Sequence, residues 1–156
     1  MNSKLETVNL VRWFHFVAIS FGGGAAVVAL LLSGFEEGRE DLQGLAATIW
    51  AKVVAWSFRL ALVAGIALLV VLIQNGQNPF RDGFYLHVKF TLVFILIGLS
   101  EMTPKALAAG RRGSALLVVV LFLAVGFTVF NKALFRREAP KLAPEPVAAV
   151  IAAPAR

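Results

Sequence analysis

The sequence predicts an all-α integral membrane protein, a four-helix up-and-down bundle followed by an extended tail, and three observations carry that prediction. Of the 156 residues, 59% are hydrophobic and only 15% charged, with a mean hydropathy of +0.80. Soluble domains hold roughly 45–50% apolar and about 25% charged residues. The apolar residues gather into four blocks, each near the ~20 residues with which a helix crosses a ~30 Å hydrocarbon layer. None of the blocks alternates at period two, the pattern of a membrane β-barrel strand.

The first block, about residues 13–33, follows basic Lys4 and Arg12 as a signal peptide would. Its apolar stretch exceeds the 7–15 residues of a signal h-region, it contains His15, and no A-x-A site precedes a soluble domain, so it reads as a retained span. The second block covers about 53–73, the third 84–102 and the fourth 114–131. The connections are short, which makes neighbouring helices antiparallel within one domain of residues 1–137. From Glu138 the chain reads EAPKLAPEPVAAVIAAPAR. Proline removes backbone donors and breaks helices, so residues 138–156 are expected to be extended or disordered alone, or held by another subunit.

Both termini and the second loop share one face of such a bundle, called here the near face. It carries Lys4, Arg12, Arg81, Lys132, Arg136, Arg137 and Lys141, against Arg39, Lys52, Lys105, Arg111 and Arg112 on the far face. Cationic residues near spans mark the cytoplasmic side, which puts both termini in the cytoplasm of a bacterial-type inner membrane. The net charge of +6 is spread around the span ends, where anionic lipid headgroups attract it, and forms no stripe suited to nucleic acid. With no cysteine, disulfides, iron–sulfur clusters and thiolate-bound haem are excluded.

Polar groups inside the hydrocarbon need a partner or a function. Four qualify: His15, Arg59, His87 and Lys89. The first and third spans run in the same direction, His15 and His87 lie about one turn inside their starts, and in an up-and-down bundle these helices face each other across the diagonal. Two imidazoles at one depth suit the axial positions of a b-type haem, with no cysteine required. They are too few for a zinc or copper site, since Met1 and Met102 lie at other depths. Lys89, two residues past His87, points roughly 160° away and reaches toward the surface or toward a carboxylate. Arg59 expects Glu101 as an ion-pair partner. The small run Gly22–Ala26 either admits a neighbouring helix or leaves space for a bulky ligand. Trp13, Trp50, Trp56 and Tyr85 lie near span ends, where aromatic residues form interfacial belts.

The segments WFHFVAISFGGG, SFRLALVAGIALLV and FYLHVKFTLVFILIG resemble the HemJ-type protoporphyrinogen oxidases and the related CopD-like membrane proteins, over most of residues 10–105. The resemblance implies a membrane bundle with haem b, a ligand or catalytic role for His15, a haem role for His87 and a catalytic, porphyrin-handling or proton-transfer role for Lys89. Such oxidases convert protoporphyrinogen IX to protoporphyrin IX and pass the electrons to the membrane, with quinone as the expected acceptor. After the first span those oxidases carry aromatic, proline, arginine and histidine residues where this chain reads VVALLLSGFEEGRED, and SEMTPKAL likewise differs after the third. The resemblance therefore implies the haem site more directly than the oxidase chemistry.

Three functions are consistent with these features. The first is a haem b-binding protein of electron transfer or porphyrin oxidation, with His15 and His87 as axial ligands to the iron. The second is a noncatalytic small subunit of a larger respiratory or photosynthetic membrane complex, or of a homo-oligomer. The third is a CopD-like metal or solute transporter, disfavoured by the lack of methionine pairs or further histidines in the spans.

Overall fold

The computed structural model describes residues 3–77, 80 and 84–131, with side chains from residue 6 onward. The tail 138–156 lies outside the described residues, as do Arg81, Lys132, Arg136, Arg137, Lys141 and the side chain of Lys4. Helix α1 covers Ser3–Phe35, a 3-10 turn covers Glu40–Leu42, and α2 covers Leu45–Ile49. A π segment, Trp50–Val54, then leads without a break into α3, Ala55–Gln74. Helices α4, Tyr85–Ala108, and α5, Gly113–Phe130, complete the chain. There is no strand among the described residues, and four helical segments are long and apolar enough to cross a membrane. The helices overrun the apolar blocks, since intrahelical bonds carry their polar ends on past the hydrocarbon.

Helix α1 packs chiefly on α3, and α4 on α5, with lesser contacts of α1 on α5 and α3 on α4. Helices α1 and α4 therefore stand at opposite corners, as the up-and-down order predicts. The exterior is apolar: Phe21, Leu31, Val63, Phe94, Leu123 and Phe130 are among many large side chains left exposed, the distribution expected against lipid.

The core lies toward the far face and is built from small residues. Ala26 and Ala29 of α1, Ala46, Trp50, Val54 and Phe58 of the second span, Leu96 and Leu107 of α4, and Ala115 and Val118 of α5 form one buried cluster. Where the surroundings are as apolar as the side chains, close backbone approach replaces the hydrophobic effect as the source of packing energy. Ala46, Trp50, Val54 and Phe58 recur every fourth residue. A regular α-helix would rotate that series by roughly 120° over its length. The wider π turn at Trp50–Val54 reduces this drift and keeps all four facing inward.

Trp50 is fully buried, which corrects its assignment to an interfacial belt. The cause lies in the facing helix. Pro104 sits inside α4 and has no N–H, so the carbonyl of Ser100 loses its intrahelical donor. The Trp50 indole Nε1–H donates to that carbonyl at 3.1 Å and approaches the Ser100 hydroxyl at 3.3 Å. A buried acceptor and a buried donor thus satisfy each other across the bundle.

The far-face loop uses its acidic residues structurally. Glu36 accepts the Ala46 backbone N–H at the start of α2, and Glu37 accepts from Arg112 at 2.9 Å. Both carboxylates line an open depression of 380 Å³ together with Ser33, Gln43 and Gly110.

Candidate functional site

His15 lies in α1, half-buried against α3. Its Nδ1 stands 2.7 Å from the carbonyl oxygen of Ala61. A carbonyl only accepts, so Nδ1 carries the proton and the lone pair of the neutral ring resides on Nε2. The approach depends on Gly65, one turn beyond Ala61 on the same face of α3. A Cβ added there would stand 3.0 Å from His15 Cε1 and 3.4 Å from Nδ1. The bare backbone at Gly65 is what lets the imidazole settle on the Ala61 carbonyl. An intramembrane histidine held in this way, with one nitrogen anchored to the backbone and the other free, has the arrangement that orients imidazole ligands of metals.

His87 has different surroundings. Its ring is exposed, stacked on Phe84 with centroids 6.0 Å apart and planes 17° apart, with Phe80 edge-on at 6.0 Å. Its own carbonyl accepts the Thr91 hydroxyl at 3.0 Å. Among the described residues no hydrogen bond or ring contact joins His87 to His15. Lys89 lies two residues past His87 in α4 and is partly covered. Lys89 and His87 point roughly 160° apart around the helix, so the two do not share a face of α4. No group of three or more His, Cys, Asp or Glu residues able to hold a metal ion occurs among the described residues.

The glycine run above His15 is filled by protein. A side chain at Gly22 would meet the Phe58 ring at 2.8 Å, and one at Gly23 would run into Phe122. Phe58 and Phe122 stack on each other at 6.0 Å, so close helix packing accounts for these two glycines. Gly24 faces open space. The two phenylalanines form the floor between the sealed far half and the half that holds His15. Below that floor the buried residues, among those described, include Val8, Ala61 and Thr128, none of them fully sealed. His15, Gly65, Lys89, Val93 and Val125 are all only partly covered.

Arg59 meets Glu101, as their depths predict. Nε donates to Oε1 at 2.8 Å and Nη2 to Oε2, a bidentate pair, with the guanidinium 5.0 Å from the Trp56 ring centroid. Sequence reasoning missed Gly65 and Ala61. A glycine four residues after an alanine inside an apolar helix was the available signal, but nothing in the sequence says which helix faces it.

Comparison with family models, with curated proteins and with solved structures finds no match to this chain.

Proposed function

We propose that the near half of the bundle binds a b-type haem with His15 as an axial ligand, and that the chain serves electron transfer or porphyrin oxidation in a bacterial-type inner membrane, termini inside. The observation that carries the reading is the Nδ1 anchor on Ala61, which leaves Nε2 as the ligating atom of an oriented, neutral imidazole. The lower burial of the residues below the Phe58–Phe122 floor, among them His15 and Gly65, is compatible with a ligand at that level.

The residues present fit the group at His15. Bound there, haem would supply one-electron chemistry, tuned by its axial ligands and by the polarity around it. The chain's own residues do the rest. Ala61 and Gly65 fix the ring of His15, and Lys89 is the cation proposed to meet a porphyrin carboxylate. Phe58 and Phe122 exclude side chains and water from above. His87, exposed on α4, is the proposed second axial ligand. Of the two, His15 has the anchored ring, through its Nδ1 on Ala61.

The test is optical. Protein purified from cells supplied with haem should show a Soret band and a reduced b-type α-band, and His15→Ala should lose both while keeping its helical circular dichroism. His87→Ala then separates one-ligand from two-ligand binding: a change from low-spin to high-spin absorption indicates two, an unchanged spectrum one. Absence of absorbance in the haem-supplied wild type overturns the reading.

A further inference from the structure

The Arg59–Glu101 pair is in the wrong place for a chain that stands alone in lipid. Helices α4 and α5 share the turn at 109–112, so residues equally far from it lie at equal depth. Glu101 is seven residues inside the end of α4, about 10 Å along the axis. The matching residue of α5 is Val120, in the middle of the run LLVVVLFL. At that depth the pair should be covered, yet its side chains keep 44% and 41% of their surface exposed. In water such exposure is harmless. Against acyl chains, both ions retain much of their desolvation penalty. Trp56 covers one face of the guanidinium, and among the described residues Nη1 has no bond.

We propose that this face of α3 and α4 is the contact between two copies of the chain, related by a two-fold axis along the membrane normal. The occupant is argued from the charges. An isologous contact sets a patch against itself, and a patch that holds one cation beside one anion is its own complement. Arg59 of each copy meets the carboxylate of Glu101 of the partner subunit, and the four groups close into a neutral quartet away from lipid. Gly98 supplies the approach. It lies one turn from Glu101 between exposed Phe94 and Met102, and a Cβ added there would meet nothing within 4 Å. A furrow of this kind lets a second backbone come close. Trp56, Leu60 and Val63 form its α3 bank and are likewise exposed.

The chain has no cysteine, so single cysteines report cleanly. In full-length protein reconstituted in lipid vesicles, Gly98→Cys should form a disulfide-linked dimer on mild oxidation. Gly24→Cys, on α1 and equally open within one copy, should not. Energy transfer between labelled copies should follow a monomer–dimer curve as the protein is diluted in lipid. Glu101→Arg should weaken that dimer about tenfold or more, and Arg59→Glu combined with Glu101→Arg should restore it. Gly98→Leu, whose Cβ meets nothing within 4 Å in its own copy, should shift the chain to monomer with its helicity unchanged. Energy transfer at the random-collision level in wild type, equal cross-linking from both cysteine positions, or a dimer indifferent to Gly98→Leu would each overturn the proposal. A monomeric wild type that gains a stoichiometric foreign subunit on this face would assign it to another occupant.

Discussion

The two halves of the bundle are built on opposite rules. Toward the far face, Ala26, Ala29, Trp50, Val54 and Val118 are sealed, and the buried Trp50 indole meets the Ser100 carbonyl that Pro104 has orphaned. Toward the near face the same four helices leave His15, Gly65 and Lys89 partly covered, and His15 meets α3 through a hydrogen bond to the Ala61 carbonyl. Phe58 and Phe122 mark the boundary. The difference is one of burial: the far half holds the sealed cluster, and the near half, where we propose the ligand, is less tightly covered.

Substitutions in the sealed half should therefore cost stability and spare any bound chromophore's environment, and the reverse should hold in the other. The largest effect is expected at Trp50→Ala. It opens a cavity and leaves the Ser100 carbonyl without a donor, for about 3–5 kcal/mol, read from unfolding in mixed micelles. Gly23→Leu comes next: it drives into the Phe122 ring and should cost about 1–3 kcal/mol by the same measurement. Gly65→Val should leave unfolding close to wild type while displacing the His15 ring from Ala61, which reads as lost or shifted haem absorbance. A loss of stability at Gly65→Val as large as at Trp50→Ala would erase the contrast. The smallest effect is expected at Glu37→Gln, which removes an exposed pair with Arg112 and should change stability by about 0.2–1 kcal/mol.

The four spans were legible in the sequence because a run of ~20 apolar residues has few other solutions in water. Arg59 with Glu101 was legible too, since counting from span ends sets two charges on adjacent helices at one depth. What the sequence hid was rotation about each helix axis. Spans that are apolar all round carry no stripe to mark the inward face. For that reason His15 could be placed in depth but not assigned to Ala61 and Gly65. Trp50 was misread for a related reason. A tryptophan near a span end is ordinarily interfacial, and only the facing Pro104, which strips Ser100 of its donor, makes a buried site for it. The glycines at 22 and 23 had two readings, and the rings of Phe58 and Phe122 decide for packing.

The most direct test is the absorption spectrum of the haem-supplied wild type beside that of His15→Ala, both with intact helicity by circular dichroism. The account predicts a Soret band with a reduced α-band in the first and neither in the second. A featureless wild type, or bands that persist in the variant, would contradict it.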